Sequence, residues 1–273
     1  MIYQKHIPKF PLDNYIDSII YIEGNNKGTG LPKTAMSLIF NLEDSFKLFT
    51  DKEFTKYIDY KKHWVAGLQT KPTNVESYGT SKMLVVQFKT LGAFIFLNDP
   101  LHYYTDNYIS LDNIFNKEAN ETWEHLQEAQ SLNEKFLFVE NFLYRKLLTN
   151  KLPNKKLIST IEILLDNRTN LSINEICKQF NISRKHLNNL SKEYAGVSPK
   201  MLSSLNRLQT TLKTISSSKS DKLTNVAYEL EYFDQAHFNN DFKRFTNIKP
   251  TEYVKLVEQN PTMKIVPHFI PFR

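Results

Sequence analysis

The sequence predicts an α+β chain. An N-terminal small antiparallel β-barrel with flanking helices comes first, followed by a C-terminal all-α half of two helix–turn–helix modules joined by a helix. Three observations carry this. Short β-branched and aromatic runs crowd residues 37–90. From Leu91 onward the text turns helical, with apolar residues at helical spacing. A stretch around Ser183 is repeated around Asp234.

The strand-like runs are SLIFNL (Ser37–Leu42), SFKLFT (Ser45–Thr50), HWVAGLQT (His63–Thr70) and KMLVVQFKT (Lys82–Thr90). Each is bounded by turn-like residues, and the LEDS between the first two predicts a hairpin. NKEANETWEHLQEAQS (Asn116–Ser131) is rich in helix formers. SLNEKFLFVENFLYRKLL (Ser131–Leu148) places Leu132, Phe136, Val139, Leu143 and Leu147 on one stripe, which Phe138 and Phe142 widen. Such a stripe is broad enough to pack on both the barrel and a second copy of the chain. It is equally compatible with burial inside one chain. The polar, proline-bearing TNKLPNKK (Thr149–Lys156) reads as a linker. Domains are therefore expected at 1–150 and 151–273.

The second half reads as helix and turn throughout. KKLISTIEILLDN is one amphipathic helix. LSINEICKQF is another, with Ser172 and Glu175 spaced as a capping box. ISRKHLNNLSKEYA restarts at the Ser183 cap, and SPKMLSSLNRLQTTLKTI opens on a proline suited to a first helical turn. SSSKSDK is a polar break, either a linker or a frayed helix end. LTNVAYEL, DQAHFNNDFKRFT and PTEYVKLVEQ then repeat the pattern.

A length of 273 residues fits about two domains. Apolar content of 41% and charged content of 23% argue against large-scale disorder. The longest apolar runs, such as MLVVQF (Met83–Phe88), are too short for a membrane span. The opening MIYQKHIPKFPLDN has no apolar core or cleavage-like site, so no signal peptide is expected. A single cysteine, Cys177, leaves no internal disulfide and no cysteine metal cluster, which fits a cytoplasmic location. Charge is divided unevenly. Residues 1–150 hold 16 Lys and Arg against 18 Asp and Glu, a net −2; residues 151–273 hold 19 against 11, a net +8. A basic half beside a nearly neutral one suggests that one half meets a polyanion. The alternative is a solvated lysine-rich surface.

The repeat aligns in detail. Ile173, Ile176, Cys177 and Phe180 match Leu223, Val226, Ala227 and Leu230 at an offset of 50. Ser183, His186, Leu187, Lys192, Val197 and Pro199 match Asp234, His237, Phe238, Lys243, Ile248 and Pro250 at an offset of 51. The extra residue falls in the turn, where a helix–turn–helix tolerates it. That arrangement lets the second helix of each copy enter a DNA major groove. Leu187 and Leu190, then Phe238 and Phe242, face inward. Lys185, Asn188 and Asn189, then Gln235, Asn239 and Asn240, face outward as candidates for base contacts. Asn and Gln can bond adenine in a bidentate way, and Lys can bond guanine. Arg184, Lys192, Lys243 and Arg244 are placed to reach phosphates.

The segment YFDQAHF…FKRFTNIKP…Y, within Ala227–Tyr253, resembles the C-terminal signature of AraC/XylS-type transcription regulators. The first copy is similar to that family's other helix–turn–helix, including the S-x-x-H-L of Ser183–Leu187, and the match spans roughly Leu157–Val257. Two positions depart from it: Glu231 where the family usually has glycine, and Ser191 where it often has an apolar residue. GLQTKP (Gly67–Pro72), VVQFKTLGAFIFLNDP (Val85–Pro100) and ISLDNIF (Ile109–Phe115) look like the N-terminal sensor-like domain of one AraC-type subgroup. The resemblance implies a sequence-specific DNA-binding transcription regulator. Its expected partners are double-stranded DNA, a small-molecule effector of unnamed identity, RNA polymerase and a second copy of the chain, with no membrane and no cofactor. The alternatives are a first half that binds a protein partner, or an enzyme domain fused to a DNA-binding module.

Catalytic and metal chemistry find little support. The histidines at 6, 63, 102, 125, 186, 237 and 268 form no HxH or HxxxH pair, so no metal site is expected. His186 and His237 are read as braces of the second helix or phosphate contacts. Cys177 reads as a small core residue. Trp64, Tyr78 and Tyr103 are candidate pocket aromatics, with ordinary core packing as the alternative. No phosphate-loop, nucleophile-elbow or zincin motif occurs, and no catalytic residue is assigned.

Overall fold

The computed structural model describes residues 2–25, 27–43, 46–51, 53–77, 81–150, 155–166, 171–217 and 234–272. The first half holds two antiparallel sheets. The strands are β1 (Ile2–His6), β2 (Ile16–Gly24), β3 (Lys27–Gly30), β4 (Ser37–Asn41), β5 (Phe46–Phe49), β6 (Tyr57–Tyr60), β7 (His63–Ala66), β8 (Thr73–Ser77), β9 (Ser81–Phe88) and β10 (Tyr108–Ser110), with β11 (Phe269–Pro271) near the far end of the chain. One sheet runs β1-β2-β9-β4-β7-β10, and the other runs β11-β3-β8-β5-β6. The expected barrel is thus two facing sheets; among the described residues no strand pairing joins their edges.

Strand alternation puts the larger sheet between two layers. Leu38, Phe40, Val65, Leu84, Val86 and Phe88 point to the helices and belong to the main core. Their neighbours Ile39, Trp64, Ala66, Met83 and Val85 point the other way, to Phe46, Leu48 and Val75 of the smaller sheet. The expected LEDS hairpin is not formed. β4 pairs with β7 and β9, whereas β5 pairs with β6 and β8. The chain between β4 and β5 therefore crosses from one sheet to the other. Two-residue periodicity fixes which side chains share a face, but not which strand is the neighbour.

Four helices accompany these strands: α1 (Phe94–Leu97), before β10, and α2 (Asp112–Phe115), α3 (Lys117–Glu128) and α4 (Leu132–Thr149) after it. Ser131 caps α4 by accepting a bond from the Glu134 amide. The expected stripe on α4 is largely covered within the chain: Phe136, Val139, Phe142 and Leu143 are buried. Phe142 meets Phe115 and Phe40 edge-on, with centroids 5.2 and 6.3 Å away. Leu137, Tyr144 and Leu148 form a separate exposed line on the same helix.

The helical half comprises α5 (Lys155–Glu162), α6 (Ile173–Phe180), α7 (Arg184–Ala195), α8 (Pro199–Ser217), α9 (Gln235–Thr246), α10 (Pro250–Gln259) and the short α11 (Thr262–Ile265). LTNVAYEL, most of SSSKSDK, Glu231, Tyr78 and residues 151–154 of the linker text lie outside the described residues. α8 buries Leu202, Leu205, Leu208, Leu212 and Ile215 along its length. The halves touch at several places. Thr105 donates to the Gly196 carbonyl at 2.7 Å, at the end of α7. Gly196 has φ +86°, and a Cβ there would lie 2.8 Å from the Thr105 hydroxyl, so glycine meets both the backbone and the space requirement. The Phe94 and Tyr194 rings are 4.4 Å apart, and Thr34 donates to the Gln209 side chain at 2.7 Å. In addition β11, from the end of the helical half, is a strand of the first half's smaller sheet.

Candidate functional site

The first helix–turn–helix is α6 and α7. At the start of α6 the Ser172 hydroxyl accepts from the Glu175 amide at 3.3 Å, and the Glu175 carboxylate accepts from the Ser172 amide at 2.7 Å. This is the capping box read from the sequence. α6 ends at Asn181, in the left-handed region at φ 50°. The Ile182 amide returns to the Cys177 carbonyl and the Asn181 amide to the Lys178 carbonyl, at 3.0 and 3.2 Å. This paired closure turns the chain sharply and satisfies the last carbonyls of α6. α7 then opens at Ser183, whose hydroxyl accepts from the His186 amide at 3.1 Å. α9 opens at the equivalent Asp234, whose carboxylate accepts from the His237 amide at 2.6 Å. Both helices start from the same device at the same repeat position.

The inward faces match expectation. Leu187, Leu190 and Tyr194 of α7 are buried, as are Phe238, Phe242 and Phe245 of α9. Cys177 is buried beside them. Outward, Lys185, Asn189 and Lys192 of α7 are exposed and Asn188 is half-buried. Gln235, Asn239, Asn240, Lys243 and Arg244 of α9 are all exposed. Arg184 is exposed but tied back to α6, its Nε donating to the Asn174 Oδ1 at 2.5 Å. Arg244 lies over the Phe245 ring and 3.9 Å from Asp241. His186 and His237 are also exposed.

Ser191 takes the place that Phe242 fills in the other module, and it is fully buried. Its hydroxyl donates to the Val197 carbonyl at 2.7 Å. In the second module the corresponding carbonyl, that of Ile248, accepts from Thr246 at 3.0 Å. Each module thus satisfies the same turn carbonyl with a hydroxyl from a different helix position.

A cavity of about 430 Å³ lies between the two sheets, among Ile39, Phe46, Trp64, Met83, Val85 and Tyr108. His268, Phe269 and Pro271 close it from the C-terminal end of the chain. Lys33 stands where this cavity meets an adjoining cleft, which Lys213 of α8 also lines. Lys33 donates to Ser37 at 3.0 Å, and among the described residues no carboxylate forms an ion pair with it. Burial lowers its pKa to about 8. Burial, with the Lys33 and Lys213 charges added, lowers that of His268 to about 3. The ring nitrogens of His268 are buried without a well-formed side-chain hydrogen bond among the described residues, and the Pro32 backbone nearby raises its pKa slightly against the burial. The Trp64 indole nitrogen is buried without a partner among the described residues. Trp64 is therefore a cavity residue as well as a core one. Tyr103 is not: it is 61% exposed and packs on His102. No local motif marks Lys33 or His268, which meet only through the fold. No group of three or more His, Cys, Asp or Glu able to hold a metal occurs among the described residues, and no described helix is long and apolar enough to cross a membrane.

Comparison with known proteins bears on the helical half first. A family model described as a helix-turn-helix domain matches residues 176–256. The chain carries an AraC-type helix-turn-helix domain. A second model, a domain of unknown function (DUF6597), matches residues 4–110. The raffinose operon transcriptional regulatory protein RafR of Pediococcus pentosaceus is 30% identical over 89 residues, which is 33% of this chain and 32% of that protein. The alignment with this relative thus spans about a third of its length. Among solved structures, ToxT from Vibrio cholerae O395 is 15% identical with a TM-score of 0.47, covering 88% of this chain and 98% of ToxT. Wild-type ToxT of strain SCE256, solved with an unsaturated fatty acid bound, is 16% identical with the same TM-score, covering 86% and 94%.

The Ser191 bond generates a direct prediction for the AraC-type domain. Ser191→Ala leaves the Val197 carbonyl without its donor and should destabilise the first module by about 1–3 kcal/mol. Ser191→Thr, which keeps the hydroxyl, should cost less. Denaturant unfolding of the full chain compares the two, and equal losses would contradict the role given to the hydroxyl.

Proposed function

We propose that the chain is a cytoplasmic, non-enzymatic transcription regulator that reads double-stranded DNA with α7 and α9 and is controlled by a small apolar anion held between the sheets. The observation that carries the DNA reading is the pair of equivalently capped helices with outward amide and basic side chains. Lys185, Asn188 and Asn189 would read one major-groove segment, and Gln235, Asn239 and Asn240 the next. Lys192, Lys243 and Arg244 would hold phosphates, with Arg184 reaching one from its bond to Asn174. The proposed domain division remains 1–150 for sensing and 151–273 for DNA, with residues 269–271 returning to the first.

The cavity supports the effector reading. Its size falls within the range of small-molecule sites, roughly 300–1,000 Å³. It joins an apolar body to the half-buried Lys33, whose ammonium meets no carboxylate among the described residues. A ligand with one carboxylate and a hydrocarbon chain answers both features. The exposed line Leu137, Tyr144 and Leu148 of α4 supports a homodimer. RNA polymerase as a partner follows from the family resemblance.

Three outcomes are expected. In site selection from random DNA, Asn188→Ala and Asn239→Ala should relax preference at different base pairs, each by about 1–3 kcal/mol. Lys243→Ala should weaken all sequences alike and flatten the salt slope by about one unit. Loss of preference at the same base pairs by both Asn variants would contradict the two-segment reading. Decanoate, as a probe, should bind with an affinity that is flat from about pH 6 to pH 8, where its carboxylate stays ionised, and falls by up to about tenfold per pH unit above that, as Lys33 loses its proton. Lys33→Met should bind weakly with no such pH dependence in calorimetry; an unchanged profile would remove Lys33 from the site. In sedimentation the full chain should dimerise with rising concentration, and Leu148→Glu should suppress this; a monomer throughout would exclude the α4 contact.

A further inference from the structure

The end of the chain is fixed at two places. Tyr253 is fully buried in the second module, edge-on to Phe242 with centroids 5.7 Å apart. Its hydroxyl donates to the Pro267 carbonyl at 2.7 Å. Beyond that point the chain becomes β11 and pairs antiparallel with β3, setting Phe269, Ile270 and Pro271 opposite Gly30, Thr29 and Gly28. Flanking bonds extend the pairing: the Leu31 amide donates to the His268 carbonyl at 2.7 Å, and the Phe272 amide to the Lys27 carbonyl at 2.9 Å. Phe269 packs against the cluster of Phe46, Trp64 and Met83.

Gly28 shows that β3 is fitted to this strand. A Cβ there would lie 2.3 Å from the Ile270 carbonyl oxygen and 2.6 Å from the Phe269 ring. A side chain at position 28 is therefore incompatible with the docked tail. The strand itself is short, sits at a sheet edge and is only partly buried. Short edge pairings of this kind open at much lower cost than a core strand.

We infer that residues 266–272 form a strand latch, which leaves the second helix–turn–helix module, closes the cavity between the sheets, and ties the position of that module to the contents of the cavity. The ligand arm of this inference rests on the effector reading; the mechanical arm does not. A ligand under the docked strand touches His268 and Phe269 only while the strand is docked. Ligand binding therefore favours docking, and by linkage docking favours the ligand. The His268 ring, which lines the cavity, accompanies the strand as it docks. Main-chain pairing provides the holding force and Phe269 the side-chain fit, as in recognition by strand addition.

The test uses the full chain with Gly28→Val, which blocks docking without altering the tail or either recognition helix. A second variant, ending after Pro267, keeps the carbonyl that Tyr253 uses and decides the matter if Gly28→Val fails to fold. Hydrogen–deuterium exchange is measured in Pro250–Ile265, in α7 and in α4. Both variants should raise exchange in Pro250–Ile265 about tenfold or more while leaving α7 and α4 unchanged, and should weaken decanoate binding about tenfold, within the usual span of coupling between sites. Unchanged exchange in Pro250–Ile265 would overturn the latch. Equal decanoate affinity in wild type and variants would overturn its coupling to the cavity. Faster exchange in the variants, with no decanoate binding even to wild type, would sustain the latch while removing the effector reading.

Discussion

The structure of the helical half depends on the burial of one face of α8. Leu202, Leu205, Leu208, Leu212 and Ile215 recur along nineteen residues and are almost wholly shielded from water. A helix of that length is about 28 Å long. It is rigid because its apolar face is covered and its backbone bonds are internal. α7 packs on one part of it, and α10 and α11 pack on another. Two small modules, each too short to hold a core alone, thereby share one core and keep one separation. Successive major-groove segments on one face of DNA are about 34–36 Å apart. On the proposed reading, a rod of comparable length would present α7 and α9 to two neighbouring segments.

The first half is bound to this rod, not merely strung before it. The Gln209 side chain on α8 accepts the Thr34 hydroxyl, and Lys33, next to Thr34, reaches the cavity between the sheets. The end of α7 abuts Thr105 through Gly196, where a larger residue would not fit. One contiguous set of buried residues runs from the larger sheet into both α7 and α9. A change inside the cavity therefore has short physical routes to the helical half: through Thr34 to α8, and through β11 to α10.

Much of this was legible in the sequence where the determining physics is local. The Ser172–Glu175 box, the Ser183 and Asp234 caps, and the inward Leu and Phe positions are set by residues within a few places of each other, so spacing alone revealed them. The stripe on α4 was legible for the same reason. Sheet partnership was not. SLIFNL and SFKLFT read correctly as strands, yet lie in different sheets, because alternation says nothing about the neighbouring strand. β11 was unreadable for a related reason: it is three residues long, ends in a proline, and exists only because β3 offers an edge with Gly28 in it. Lys33 and His268 are far apart in sequence, and each looks ordinary in its own segment. Only the fold brings the Lys33 ammonium and the His268 imidazole to one cavity. Ser191, where the resemblance calls for an apolar residue, is explained by its bond to the Val197 carbonyl in the turn that follows α7.

On the proposed reading, α8 holds α7 and α9 at one fixed interval, and a single chain spans two neighbouring groove segments. Hydroxyl-radical footprinting of the full chain on a DNA site selected from a random pool measures this most directly. Two protected patches on the same face, with centres about 10–10.5 base pairs apart, are the expected result. A single patch, or two patches on opposite faces of the duplex, would contradict it.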